Sequence, residues 1–181
     1  MDKDLEIWID DFQKYVLKHF NFLLDMGFKI KPLKRKNFEY YQDQEVEINY
    51  MSNEICVSIS WFINYRNIGI SIKELEKGKL CEKYSFYGDS DYGRAINVFD
   101  LASFISKESI DRPLPEILPQ DSTKIIIKKV RISGERINDN FEKVIIDFAN
   151  LLNNYAKEIL EGDLSVFPIV QEYSKNKMEG N

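Results

Sequence analysis

Three segments between residues 45 and 73 alternate strictly between apolar and polar side chains. A repeat of two residues is the period of a β-strand with one buried face. Two short polar stretches, Ser52-Asn53 and Arg66-Asn67, separate the segments and have the composition of turns. The sequence therefore predicts a three-stranded antiparallel meander. Its buried face would carry Val46, Ile48, Tyr50, Ile55, Val57, Ile59, Trp61, Ile63, Ile68, Ile70 and Ile72.

Apolar residues at spacings of three and four predict a helix on either side of this meander. The first covers residues 5–26 and is followed by Gly27, a suitable C-terminal cap. The second covers residues 136–161 and is stopped by Gly162. We therefore predict an α+β fold in which an antiparallel β-meander sheet packs against an N-terminal helix and a long C-terminal helix.

The remaining segments give weaker patterns. Residues 28–33 and 84–87 resemble short strands, and residues 34–36 resemble a basic loop. Residues 96–107 favour a short helix, whereas the run 123–132 fits either a strand or a helix. A last helix would hold Pro168 in its first turn. We predict one domain over residues 1–175, with a frayed polar tail from residue 175 and residues 176–181 outside the domain.

Charge and cysteine content limit the classes of partner. The chain has 181 residues, and its 25 basic and 30 acidic side chains give a net charge of −5. This acidity disfavours a general nucleic-acid binder and suits a basic protein partner. Two cysteines do not make a disulfide framework, the N-terminus is acidic, and no apolar run approaches the roughly 20 residues that span a membrane. We expect a cytoplasmic protein that does not enter a membrane.

Motifs for catalysis are missing from the sequence. There is no nucleophile elbow, no phosphate-binding glycine loop and no zinc-ligand spacing. His19, the single histidine, shares the apolar stripe of the first helix, so we expect it to pack there. Cys56 lies on the polar side of its strand and could be exposed, but no histidine is in place to activate it. We therefore predict no catalytic residue, no cofactor and no bound metal.

The segment from residue 84 to residue 94 carries the most suggestive group of side chains. Asp89 and Asp91 could ligate a hard cation, although glycine, aspartate and serine are also what an ordinary turn uses. Tyrosine and arginine are frequent at protein interfaces. We predict a partner-binding surface made of Tyr87, Asp89, Asp91, Tyr92 and Arg94, with Glu45 and Glu47 as acidic support.

Two other surfaces leave alternatives open. A basic cluster at residues 29–36 precedes Phe38, Tyr40 and Tyr41, a mixture that suits single-stranded nucleic acid but equally a lysine-protected sheet edge. The polar side of the meander is rich in serine and other small residues. Such a face would suit packing of the long helix, of a second subunit or of a partner.

Three stretches resemble small uncharacterised bacterial α+β proteins, some of which resemble the immunity proteins of polymorphic toxin systems. They are residues 22–28 (FLLDMGF), 46–50 (VEINY) and 151–163 (LLNNYAKEILEGD). The resemblance implies a non-catalytic binder that neutralises one toxin by blocking it. The alternatives are a small-ligand or enzyme domain with a site of scattered carboxylates and tyrosines, and a homo-oligomeric structural protein.

Overall fold

The meander forms the centre of the fold. The computed structural model describes residues 3–38, 43–89, 92–108, 110–118 and 120–179. Within them the helices are α1 Lys3–His19, α2 Phe22–Asp25, α3 Val98–Ser106, α4 Thr123–Tyr155, α5 Lys157–Leu160 and α6 Phe167–Glu179. The strands are β1 Lys29–Ile30, β2 Lys34–Phe38, β3 Asp43–Met51, β4 Ile55–Phe62, β5 Asn67–Glu74, β6 Tyr84–Ser85 and β7 Gly93–Asn97.

The sheet has the order β1-β3-β4-β5-β7-β6, and β2 also pairs with β3. Strands β3, β4 and β5 are antiparallel neighbours, as the alternating pattern predicts. Ile59 lies opposite Ile48 on one side and Ile70 on the other, whereas Ser60 lies between Glu47 and Gly69. This register puts the aliphatic side chains on one face, here the inner face, and the small polar side chains on the outer face.

Helices α1 and α4 cover the inner face, and Phe141 of α4 joins them to the sheet. Its ring centroid lies 5.6 Å from that of Trp8 and 6.4 Å from that of Phe12, both on α1. It also lies 5.4 Å from the ring of Trp61 on β4. Such aromatic contacts stabilise a core beyond the area that they bury. The predicted α+β arrangement, with both helices on the sheet, is confirmed.

The long helix begins earlier than its apolar stripe suggests. Residues 123–132 are helical, which decides the alternative that the sequence leaves open. Asn140 interrupts the helix with φ −162° and ψ 81°, and its Oδ1 accepts a hydrogen bond from the backbone N–H of Lys143 at 2.9 Å. Asn140 thus caps the second half, which packs in the core, while residues 123–139 form a separate first half. Gly162, at φ +107°, ends the region as expected.

The prediction of a basic loop at residues 34–36 is wrong, because these residues belong to β2. Arg35 forms an ion pair with Glu6 of α1 at 2.7 Å, and Lys36 forms one with Glu47 on the outer face at 2.7 Å. Positive side chains therefore occupy both faces of this strand, and each of the two pairs with a carboxylate. A strand of this kind has no apolar alternation by which it could be recognised.

Several smaller predictions also change. The strand predicted over residues 28–33 is reduced to Lys29–Ile30, and the helix predicted over residues 96–107 is Val98–Ser106. Most of the segment predicted as a frayed polar tail is helical, since α6 continues to Glu179 and Lys177 binds Asp100 at 2.9 Å. Pro168 is the second residue of α6 and so lies in the first turn, as predicted.

Candidate functional site

Ser85 fixes the loop that connects β6 to the predicted surface. Its Oγ accepts hydrogen bonds from the backbone N–H groups of Tyr87 and Asp89, both at 3.1 Å. The same hydroxyl donates to Oδ2 of Asp89 at 2.7 Å. Three contacts through one short side chain hold the start of the loop in a single conformation.

Helix α6 is attached to this loop through Gln171. The side chain is only 3 % exposed, and its Nε2 donates to the backbone carbonyls of Ser85 at 2.9 Å and Ala95 at 3.1 Å. A buried amide that satisfies two strand carbonyls fixes the helix relative to β6 and β7. The loop and α6 therefore form two walls whose separation is set by direct hydrogen bonds.

Arg94 lies between these walls and is held at two points by Glu74. Its Nε and Nη2 atoms lie 2.5 Å and 2.6 Å from the two carboxylate oxygens. Hydrogen bonding to Glu74 raises the pKa of the Arg94 guanidinium further above its usual value. The guanidinium also lies 5.9 Å from the centre of the Phe167 ring. The position of Arg94 is thus fixed, and one adjacent carboxylate offsets its charge.

Two tyrosines extend from this framework into solvent. Tyr87 and Tyr92 are 41 % and 42 % exposed, which is high for such large side chains. The ammonium of Lys83 lies 5.8 Å from the centre of the Tyr92 ring. Partial burial, together with the charges of Asp100 and Glu116, raises the pKa of Tyr87, so its phenol stays neutral at physiological pH.

Tyr92 and Arg94 form a ridge between two open grooves, each of about 670 Å³. One groove lies between the loop and α6, and its acidic side chains are Asp89, Glu172 and Glu179. The other lies beside Glu76 and Glu82. We call the ridge and the groove against α6 the Tyr92 surface; it consists of Tyr87, Asp89, Tyr92, Arg94, Glu172, Lys175 and Glu179.

The structure brings together four of the seven residues that the sequence singles out: Tyr87, Asp89, Tyr92 and Arg94. Asp91 lies outside the described residues. Glu45 and Glu47 are not part of this surface, which corrects their expected role as its acidic support. Both are buried on the outer face of the sheet. Their place there follows from the pairing of β3 with β2 and β4.

Glu47 is the centre of a network of charges on that outer face. Its carboxylate lies 2.7 Å from Nζ of Lys36 and 2.8 Å from Nζ of Lys73. Burial alone would raise its pKa, but the charge of Lys73 and hydrogen bonds from both lysines outweigh burial and lower the pKa to about 2. Glu45 also pairs with Lys36, at 3.2 Å. The Glu47 carboxylate, held ionised by two lysines, stabilises strand pairing and is a poor proton acceptor.

Cys56 belongs to the same face and is fully buried, contrary to the expectation that it could be exposed. Its thiol donates to Oδ1 of Asn49 at 3.2 Å, and the hydroxyl of Ser58 donates to the same oxygen. Burial raises the pKa of the Cys56 thiol to about 11, so the thiolate that a nucleophile needs is scarce at neutral pH.

His19, for which the sequence predicts a packing role, is the last residue of α1 and contacts α4. Its Nε2 is 2.8 Å from Oε1 of Glu142, which also accepts a hydrogen bond from Lys18. These contacts lower the pKa of Glu142, with the hydrogen bond from Lys18 contributing most. His19 thus joins α1 to α4 through a polar contact.

The sequence does not point to Ser85 and Gln171, the two residues whose hydrogen bonds hold the site together. Ser85 looks like any turn residue, and no local pattern identifies it. Gln171, however, follows Phe167 by four positions and Val170 by one, so it lies on the apolar stripe of α6. A glutamine on such a stripe is a signal of a buried hydrogen bond.

Among residues 3–38, 43–89, 92–108, 110–118 and 120–179, no group of three or more histidine, cysteine, aspartate or glutamate side chains could hold a metal ion. In the same ranges no helix combines the length and apolar character needed to cross a membrane. Neither a protein-family model, nor a curated protein, nor a solved structure matches this chain.

Proposed function

We propose that this chain is a non-catalytic protein-binding module whose Tyr92 surface docks on a basic protein partner. The partner relationship we favour is of the immunity type, in which the module occludes a toxin or another protein. The observation that carries the proposal is the convergence of Tyr87, Asp89, Tyr92 and Arg94 on one ridge and one groove.

Preorganisation of this surface supports a binding role. Association costs free energy when loops and side chains must be ordered on contact. Here Ser85 holds the loop, Gln171 holds α6 and Glu74 holds Arg94. A partner would therefore meet exposed tyrosines beside residues 85–89, α6 and Arg94, which are already held by these contacts. Tyrosine and arginine side chains that become buried dominate the affinity of many interfaces.

Charge supports a basic partner. Three carboxylates line the groove against α6, where Lys175 and the already paired Arg94 are the cations. Acidic side chains of this kind speed encounter with a basic protein and disfavour acidic ones. They would also make the association rate fall as salt rises, because exposed charges are screened.

Affinity capture tests the proposal. The tagged chain is exposed to a lysate of its native cell at low and at moderate salt, and bound proteins are identified by mass spectrometry. We expect a stoichiometric basic protein that is retained at low salt and reduced when Tyr92 is replaced by alanine. Capture of no protein under either salt condition, or of one that the Tyr92→Ala variant retains fully, would count against this function.

A second candidate is self-association through the outer face of the sheet. Ser60, Gly69 and Ser71 place small side chains at the centre of that face, and Gly69 and Ser71 are partly exposed there. A second copy could pack on such a surface. Light scattering distinguishes the candidates, since self-association predicts twice the monomer mass of 21.4 kDa without any partner.

A further inference from the structure

The first half of α4 differs in charge from the rest of the chain. Residues 123–139 contain five basic side chains and two acidic ones, although the chain as a whole has a net charge of −5. The basic residues are Lys124, Lys128, Lys129, Arg131 and Arg136. Such a local reversal of charge marks a surface with its own binding preference.

The same half-helix exposes large apolar side chains. Ile127 is 64 % exposed and Ile125 is 44 % exposed, while Ile126 and Val130 are half-buried. The break at Asn140 separates this half from the second half of α4, which supplies most of the core residues of the helix; of the first half, Ile137 is in the core. Exposed isoleucines on a helix that also carries several cations are typical of an interaction surface.

Ile126 and Ile127 line a groove of about 570 Å³ between α4 and the turn that precedes β5. We call it the Ile127 groove. Its floor is Ile126, Ile127 and Val130, and its rim includes Arg66, Arg131 and Glu135. The groove is therefore apolar at its base, and its edge carries two arginines against one glutamate.

Two features describe the position of Arg66 at the edge of this groove: its backbone conformation and the packing of its side chain on Gly134. Its backbone has a φ of +45°, in the left-handed region that side chains rarely adopt. Its Cδ and Nη1 atoms occupy the space beside Gly134, where an added Cβ would lie 2.9 Å from each. Across the described residues no carboxylate forms an ion pair with Arg66, and Arg131 has only the exposed Glu135 at 3.7 Å. The Arg66 guanidinium is thus open to a carboxylate from outside, and Arg131 could exchange its exposed contact with Glu135 for another.

We propose that the Ile127 groove is a second docking surface, and that its occupant is an acidic segment of another protein with large apolar side chains. The apolar side chains would lie on Ile126, Ile127 and Val130, and carboxylates would pair with Arg66 and Arg131. A concave groove fits an inserted segment better than the plane of a membrane, which a convex helix face contacts.

This surface is independent of the Tyr92 surface. Arg66 directly precedes β5, whereas Glu74, which holds Arg94, is the last residue of that strand. At roughly 3.3 Å per residue, the two ends of β5 are about 23 Å apart. One partner on each surface could therefore bind at the same time.

Selection from a random peptide library on the whole protein tests this inference. Fifteen-residue peptides displayed on phage are selected on the wild-type chain and screened against Ile127→Asp. The matched control is Ile169→Asp, because Ile169 of α6 is 51 % exposed and lies outside the groove. A parallel arm measures sedimentation of each variant with phosphatidylcholine vesicles containing phosphatidylglycerol.

We expect recovered peptides to have an excess of aspartate and glutamate and at least two large apolar residues. Ile127→Asp should weaken them by about tenfold or more, while Ile169→Asp leaves them unchanged. The proposal is overturned if the peptides lack an acidic excess or bind Ile127→Asp as well as wild type. It is equally overturned if no peptide depends on Ile127, or if vesicles bind in an Ile127-dependent manner and peptides do not.

Discussion

Nζ of Lys73 on β5 lies 2.8 Å from Oε1 of Glu47 on β3, on the outer face of the sheet. Glu47 is almost completely buried, so this ion pair and the one with Lys36 are what keep the carboxylate charged. Removal of one member of such a pair leaves a buried charge without its partner, which is strongly destabilising.

The stability contributed by Glu47 should depend on pH. Its pKa in the folded protein is about 2, compared with 4.5 for the free group. A lowered pKa means that the contribution is present above pH 4.5 and is lost as pH falls towards 2. We expect Glu47→Gln to be less stable than wild type by about 3 kcal/mol at pH 7 and nearly equal to it at pH 2. Urea unfolding at several pH values measures this; a difference that does not change with pH would contradict it.

Loss of the Gln171 amide should loosen the wall of the Tyr92 surface. Gln171→Leu would leave two strand carbonyls without their donor, and we expect a loss of about 3 kcal/mol in the free energy of unfolding. Hydrogen exchange of α6 should also become faster. The neighbouring exposed residue provides the control, since Glu172→Ala removes no buried hydrogen bond. Equal stability of Gln171→Leu and Glu172→Ala would show that the amide does not attach the helix.

Replacement of Asn140 by alanine distinguishes an interrupted α4 from a continuous one. If Asn140 caps the second half, Asn140→Ala should lower stability by about 1 kcal/mol, and Asn140→Asp should retain most of it. In a continuous helix the same change would be stabilising, because alanine is the better helix former. Thermal unfolding of the three proteins therefore gives opposite signs for the two cases.

An added methyl group at residue 93 should disturb the strand that carries Arg94. A Cβ at Gly93 would lie 2.7 Å from Sγ of Cys81 and 2.8 Å from the ring of Tyr84. We expect Gly93→Ala to cost about 2 kcal/mol, since both neighbours are packed against β7. Gly69→Ala is the comparison, as its nearest contact would be 3.4 Å from Phe62. Similar unfolding midpoints for the two variants would contradict the packing described here.

The sequence predicts those parts of the fold in which burial alternates regularly. The meander is clear because Val46, Ile48 and Tyr50 share one buried face. Strand β2 is not recognisable, because its charged residues find partners on both faces. The start of α4 is ambiguous for a related reason. Ile125 and Ile127 are exposed, so the spacing of apolar residues in this segment does not show which side chains face the core.

The candidate site is predictable to the same limited extent. Tyr87, Asp89, Tyr92 and Arg94 are neighbours in the chain, and their proximity in space follows from that. The other wall, α6, comes from residues about 80 positions later, and its attachment through Gln171 depends on tertiary contacts that no local pattern contains. Glu45 and Glu47 look like free surface charges until the register pairs them with lysines.

The affinity of the captured partner for a Tyr92 variant tests the proposed function most directly. Calorimetric titration would compare wild type, Tyr92→Ala and Ile105→Ala; Ile105 is a similarly exposed apolar residue on α3. We predict that Tyr92→Ala weakens binding by about tenfold or more and that Ile105→Ala has no effect. Equal affinity of all three proteins would contradict the assignment of the Tyr92 surface as the site of docking.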